Sequence, residues 1–367
     1  MTPLRIGVDA RELLGARTGV GRYLGELLLR WAGRPDAGRR RFTLYSPEPL
    51  PLDLPAEAVE RRVVGAGRGT WWEQTDLARA VRADRPDVFF APAYTAPVRL
   101  SVPLAVTIHD VSFAAHPEWF RWREGLRRRV FTRRTARRAA VILTDSEFSR
   151  SEIHRLLGVE RRRIHVIPPG VRPLRRSASP PSSSYSAGRL VLFAGTLFNR
   201  RRLPDLIAAF AGVAADVPDA RLAIVGDDRT WPPVDLRAAA DAHGVGDQVR
   251  FTSYVADDEL ATLYSTASVF AFLSEYEGFG LTPLEALSAG VPIVVLDTPV
   301  AREVYGGAAH YVRRGDLAGT ADVIRRLLLE PGSAATTLNA APDVLARYSW
   351  DRAADQTLAC LEEIARR

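Results

Sequence analysis

The sequence predicts an α/β protein built as two doubly wound domains, each a parallel sheet flanked by helices, facing each other across a cleft. Three observations predict it. Short apolar runs alternate with helix-like segments along the whole chain, the pattern of parallel strands joined by helical crossovers. At 367 residues the chain is long for a single hydrophobic core. A Ser/Pro/Gly-rich stretch from Arg175 to Gly188 interrupts the alternation near the middle and reads as a linker.

The elements follow in order. The first domain, 1–174, offers strand-like runs at Leu4–Val8, Phe42–Tyr45, Val88–Ala91, Leu104–Ile108, Val141–Thr144 and Ile164–Ile167. After the linker, 175–188, the second domain, 189–348, offers Leu190–Ala194, Leu222–Val225, Val249–Thr252, Val269–Leu273 and Pro292–Leu296. The tail, 349–367, reads as a helix expected to pack back toward the first domain. In such sheets ligands gather beyond the carboxyl ends of the strands, so residues just after each run are the candidates for chemistry.

Composition narrows the function. All 50 basic residues are arginine, set against 43 acidic ones, for a formal net charge of +7. A chain without lysine has no pyridoxal Schiff base, no phosphate-loop lysine and no kinase strand lysine. Arginine is the better bidentate partner for phosphate, so anionic substrates fit. A basic balance also suits nucleic acid, but no groove-entering element is visible, and nucleic acid is not expected as a partner. The single cysteine, Cys360, excludes an intramolecular disulfide and a cysteine-built zinc site. No apolar run nears the roughly 20 residues of a membrane span, and the N-terminus enters a strand at once, leaving no room for a signal peptide. A cytoplasmic location is expected.

The most specific segment is Glu277-Gly-Phe-Gly-Leu-Thr-Pro-Leu-Glu285, just behind the run Val269–Leu273. Thr282 reads as an N-cap, Pro283 as the first helical residue and Gly290 as the stop, giving a helix of about two turns. The first-turn amides, with those of Phe279 to Leu281, are placed to bind an anion, and Gly278 and Gly280 let backbone come close to a ligand. Amides for a phosphate and two carboxylates for hydroxyls suit a phosphate ester of a polyhydroxylated group. For Glu285 a capping box with Thr282 is an equal alternative. That alternative does not account for Glu277.

Other strand ends carry weaker signals. Gly195-Thr196 leads into Arg200-Arg201-Arg202, well placed for a diphosphate, although a solvated basic turn is the ordinary reading of such a run. Thr18-Gly19-Val20-Gly21 is a glycine loop at a helix start, with the wrong spacing for a dinucleotide fingerprint. His109 ends the run Leu104–Ile108 on the ligand-binding edge. The basic stretch Arg121 to Arg138 offers a peripheral contact with an anionic membrane. A solvated helix with Leu126 and Val130 packed inward is the preferred reading there. Asp227-Asp228 and Asp257-Asp258 lack clustered histidines, and no metal site is expected.

Taken together, these segments resemble the retaining nucleotide-sugar glycosyltransferases of glycosyltransferase family 4, which have the GT-B fold. The resemblance covers nearly the whole chain. Its marks are Arg5-Ile-Gly-Val-Asp-Ala-Arg11, Thr18-Gly-Val-Gly-Arg-Tyr23, Thr107-Ile-His-Asp110, Ser146-Glu-Phe-Ser-Arg150 and Ile164-His-Val-Ile-Pro-Pro-Gly-Val171. The Gly195-Thr196 arginine segment and the E-x7-E pattern from Glu277 to Glu285 complete it.

The resemblance implies transfer of a hexosyl group, mannosyl favoured, from a nucleoside-diphosphate sugar to a hydroxyl of a glycan, lipid-linked or small-molecule acceptor. The donor, GDP- or UDP-linked, is a co-substrate, and no further cofactor or metal is implied. Glu277 would hold hydroxyls of the transferred sugar and Glu285 the nucleotide ribose. Arg200 and Arg201 would clamp the diphosphate with amides near Leu281 and Thr282, and Gly19 and Gly21 would approach the phosphates. His109 would line the reaction centre. The base would lie between the loop after Gly226 and the backbone of Tyr254 and Val255. Arg201 stands where the family commonly has lysine. Rival readings are a sugar-nucleotide epimerase or hydrolase, and a catalytically silent nucleotide-sugar binder.

Overall fold

The computed structural model describes residues 3–15, 19–34, 36–51, 54, 59–65, 67, 69–173, 189–253, 255–330 and 332–367. The linker predicted at 175–188 lies outside them. The chain divides into two compact units. One comprises Met1–Ala115, Arg123–Gly170 and Ser349–Arg367, the other His116–Trp122 and Val171–Tyr348. The short segment His116–Trp122 therefore belongs with the later part of the chain, away from its sequence neighbours.

In the N-terminal unit the strands are β1 Leu4–Asp9, β2 Arg40–Ser46, β3 Val59–Val63, β4 Val88–Ala91, β5 Leu104–Thr107, β6 Val141–Thr144 and β7 Ile164–Val166. They form one parallel sheet in the order β3-β2-β1-β4-β5-β6-β7. β4, β5 and β6 are buried along their whole length, which is why they read as unbroken apolar runs. The helix Gly19–Ala32 buries Tyr23, Leu24, Leu27, Leu28 and Trp31, the stripe of a one-sided helix.

Its neighbour is the helix Trp350–Ala365, capped by the Ser349 hydroxyl and burying Leu358, Leu361 and Ile364 in the same core. Each such side chain contributes about 1.5–3 kcal/mol on burial. Trp31 ties the two helices together, donating from Nε1 to the Ala354 carbonyl at 2.9 Å and stacking on Phe42 at 5.3 Å. Gly170 sits against this helix so closely that a Cβ would fall 2.2 Å from the Trp350 nitrogen.

In the second unit β8 Leu190–Ala194, β9 Arg221–Val225, β10 Val249–Thr252, β11 Val269–Phe272, β12 Ile293–Leu296 and β13 Ala309–Val312 pair in parallel as β10-β9-β8-β11-β12-β13. Each sheet reverses its strand order once, at β1/β4 and at β8/β11, and such reversals open crevices at the carboxyl ends where ligands bind.

Two expectations are corrected. Leu126 does not pack inward: it is 47 % exposed, and the helix Trp122–Arg138 instead buries Gly125, Thr132, Thr135 and Ala136. Small residues line its inner face, and the larger leucine is left outside. The strands β3 and β13 were not expected from the sequence; both lie at sheet edges. Among the described residues no helix is long and apolar enough to cross a membrane.

Candidate functional site

The site of the second unit gathers at its strand-order reversal, after β8 and β11. Gly195 follows β8, and its backbone lies against Gly226, which follows β9. A Cβ on Gly226 would fall 1.9 Å from the Gly195 carbonyl oxygen, and its φ of +150° already disfavours a side chain. The two loops beyond are laced together: Leu197 donates to the Asp227 carbonyl and Arg229 to the Leu197 carbonyl, each at 2.9 Å. This bracing fixes where the arginine turn Asn199–Arg201 starts.

The three arginines then separate in role. Arg202, in the left-handed region at φ +51°, pairs with Asp205 at 2.7 Å and Glu275 at 3.4 Å. Arg200 and Arg201 turn toward Glu277. Arg201 Nη1 forms a hydrogen-bonded ion pair with Glu277 Oε1, the Ser274 hydroxyl donates to the same oxygen, and Arg200 Nε lies 3.7 Å from it. The guanidinium of Arg201 sits 4.4 Å above the Phe272 ring and that of Arg200 4.6 Å above Phe198. The Arg200 carbonyl accepts from the Glu275 amide at 2.9 Å, pinning the turn to the glutamate loop. Two cations thus converge on one nearly buried carboxylate.

The helix that follows is Leu281–Ser288, with Gly280 at the cap in the left-handed region at φ +93°. Thr282 is therefore not the N-cap, and Thr282 and Pro283 fall within the first turn. The reason is tertiary. Tyr305 donates its hydroxyl to the Gly280 carbonyl at 3.0 Å and occupies the space a Cβ would need. Pro283 is tolerated because first-turn amides have no partner inside the helix. With Thr282 off the cap, the capping box is not formed. Glu285 is buried and accepts from the Tyr264 hydroxyl at 3.2 Å. Phe279 is an anchor, buried and edge-on to Tyr348 at 5.0 Å.

Beyond β9 and β10 a pocket of about 500 Å³ is lined by Gly226, Asp228, Arg237, Phe251, Thr252 and Ser253 among others. Arg237 lies over the Phe251 ring at 5.0 Å. Val255 is buried, and Tyr254 lies outside the described residues. Gly195 and Thr196 stand at the mouth of the arginine loop, and Gly278, Gly280, Leu281 and Thr282 at the helix start.

The remaining predicted residues belong to the N-terminal unit. Gly19 and Gly21 open the helix Gly19–Ala32, and a Cβ on Gly19 would meet nothing within 4 Å. His109 follows β5 and is mostly buried. Its Nδ1 lies 2.8 Å from Asp145 Oδ2 and its Nε2 3.1 Å from the Pro92 carbonyl. Burial pulls its pKa down, but the charge and hydrogen bond of Asp145 and the Pro92 carbonyl outweigh it, and the balance is upward.

The chain matches two family descriptions in succession: "Glycosyltransferase Family 4" over residues 18–175 and "Glycosyl transferases group 1" over 175–342. It belongs to the family 4-like glycosyltransferases. The glycosyltransferase is 26 % identical to the O-antigen chain mannosyltransferase B of Escherichia coli over 77 % of this chain and 75 % of that one. It is 35 % identical to the GDP-mannose:cellobiosyl-diphosphopolyprenol alpha-mannosyltransferase of Komagataeibacter xylinus over 48 % of this chain and 45 % of that one. The chain thus matches less than half the length of the second relative. Among solved structures, sucrose-phosphate synthase from Thermosynechococcus elongatus superposes with a TM-score of 0.79 at 18 % identity, covering 98 % of this chain and 99 % of that one. Anabaena HepE in complex with UDP and glucose gives 0.75 at 18 % identity, covering 98 % and 100 %. The fold of the glycosyltransferase is GT-B.

Sequence reasoning missed several supporting groups in this glycosyltransferase: Asp145 beside His109, Ser274 on Glu277, Tyr264 on Glu285, and Tyr305 on Gly280. Asp145 and Ser274 each follow a buried strand, β6 and β11, and that position was the available signal. Tyr264 and Tyr305 carry no such mark.

Proposed function

We propose that this glycosyltransferase moves a hexosyl group, mannosyl favoured, from a nucleoside-diphosphate sugar to a hydroxyl of a glycan, lipid-linked or small-molecule acceptor, with retention of configuration. The observation that carries the reading is the convergence of Arg200 and Arg201 on Glu277 beside the helix start at Leu281. Breaking a sugar–phosphate bond develops negative charge on the departing diphosphate. Two fixed guanidinium groups and first-turn amides stabilise that charge without reorganising, and in this reading no metal is needed.

All the hydrogen bonds and ion pairs described for Glu277 fall on Oε1, which supports reading Oε2 as the oxygen that meets hydroxyls of the transferred sugar. Glu285, oriented by Tyr264, takes the ribose, and the pocket near Gly226 takes the base. The names of the Escherichia coli and Komagataeibacter relatives favour mannose, and that of the second favours GDP. The exposed Leu126, flanked by the exposed Arg123 and Arg127, supports peripheral contact with an anionic membrane. Leu126→Asp is expected to weaken sedimentation with vesicles containing anionic lipid. Equal sedimentation of the variant and the parent removes that surface.

The test of the transfer reading is a thermal-shift and turnover panel of GDP-, UDP-, ADP- and TDP-sugars. A donor at a hundred times its dissociation constant adds roughly 2.7 kcal/mol of stability. One nucleotide class should stabilise the protein. No stabilisation by any of them at millimolar concentration would overturn the reading.

A further inference from the structure

We propose that His109 is held as an imidazolium by Asp145, so that during transfer it serves as a fixed cation and is excluded as a general base. The inference rests on the transferase reading above and deepens it, with Asp145 as a positioning residue. The sheet itself makes the pair. β5 and β6 run parallel with Thr107 opposite Leu143, so the positions two residues on, His109 and Asp145, emerge side by side at the carboxyl edge. The Ile108 amide, donating to the Leu143 carbonyl at 2.9 Å, carries that register to the last residue before His109.

The proton count follows from the partners. A carbonyl oxygen can only accept, so Nε2, 3.1 Å from the Pro92 carbonyl, carries a hydrogen. An ionised carboxylate can only accept, so Nδ1, 2.8 Å from Asp145 Oδ2, carries one as well. The ring with both hydrogens is a cation. The competing arrangement leaves one ring nitrogen bare, but the charge and hydrogen bond of Asp145 favour the doubly protonated ring. Asp110, next in the chain, adds a second negative charge that favours the imidazolium.

The other groups facing the ring do not oppose this. Tyr23, from the helix Gly19–Ala32, meets it edge-on at 5.0 Å with its hydroxyl 3.3 Å from that of Thr107, and burial pushes its pKa up, so it is neutral. Tyr94 meets it at 5.9 Å and donates to Asp110 at 3.4 Å. The Ser149 hydroxyl donates to the His109 carbonyl at 3.0 Å and fixes the backbone beneath. Asp145 is buried, and its Oδ1 has no hydrogen-bond partner among the described residues, so the carboxylate acts through His109. With both ring nitrogens protonated and engaged, no lone pair is available to take a proton from the acceptor hydroxyl. That proton must go to a group other than His109.

Nitrogen-15 spectra of the histidine rings test this without any substrate. The chain has 6 histidines, and the His109 signals are those lost in H109Q. Both of its nitrogens should have the protonated shift at pH 7.5; a single unprotonated nitrogen there overturns the proposal. The second arm is D145N, which keeps an acceptor oxygen and removes the charge. The alkaline limb of its turnover profile should move at least one unit toward acid, so that the variant loses more turnover at pH 7.5 than at pH 6. Turnover should recover near pH 6, and D145E should restore the parent profile. A loss equal at all pH values would make Asp145 merely structural and overturn the proposal. If no donor or acceptor supports turnover, the transfer reading fails while the spectra still decide the charge of His109.

Discussion

Replacing Arg201 by methionine keeps an apolar stem over the Phe272 ring and removes the guanidinium. Glu277 then loses its hydrogen-bonded cation and retains the Ser274 hydroxyl and Arg200 at 3.7 Å. Both side chains of the pair are only 11 % exposed, so solvent does little to rescue the orphaned carboxylate. Removing one partner of a buried ion pair costs about 3–5 kcal/mol. Because Arg200 supplies part of the lost charge, the low end applies, about 3 kcal/mol. For a unit of this size that lowers Tm by about 6–12 °C. Adding E277Q removes the orphaned charge and should recover about 2 kcal/mol, within the usual range for groups in contact. The assay is a double-mutant cycle of thermal and urea unfolding on R201M, E277Q and the pair. If the double variant loses the sum of the two single losses, the residues are not coupled and the reasoning fails.

Two further outcomes are expected. Arg200→Ala should lower turnover with the identified donor at least about tenfold, equivalent to roughly 1.4 kcal/mol of barrier; parental turnover in the variant removes Arg200 from the mechanism. Asp9, buried at the end of β1 with Arg11 and Glu73, has its pKa raised from 3.8 to about 6 by burial, against the opposing charge of Arg11. The folded value lies above the unfolded one, so its stabilising contribution is complete below about pH 4 and is lost as pH rises through about 6. Between pH 4 and 7 the parent should therefore lose on the order of 2–3 kcal/mol relative to D9N in urea unfolding, and a constant difference would contradict the assignment.

What was legible in the chain depended on how far each signal reached. The interior strands are buried on both faces, and apolar composition alone marks Val88–Ala91 or Val141–Thr144. The strand β3, Val59-Glu-Arg-Arg-Val63, lies at an edge with exposed charges and has no such signature. The edge strand β13 is obscured in the same way by its partly exposed His310 and Tyr311. The threonine–proline signal at Thr282 placed the helix start two residues late because Tyr305, 25 residues from Gly280, decides the cap. His109 could be singled out by its place after a strand. Asp145 also follows a buried strand, but its pairing with His109 is set only by the register of β5 against β6. The family resemblance sets Arg200 and Arg201 apart from Arg202, and the geometry gives a reason: Arg202, in the left-handed region, pairs with Asp205 and Glu275.

The helix Trp350–Ala365 also sets an order of events during synthesis. Domains usually fold as they leave the ribosome, the N-terminal one first. Here the N-terminal unit has Leu358, Leu361 and Ile364 in its core, and Trp31 stays without its Ala354 acceptor until those last residues are made. The second unit needs nothing beyond Tyr348. Its sheet is complete while the earlier sheet, translated long before, still waits with an open apolar face. The unit that begins first finishes last.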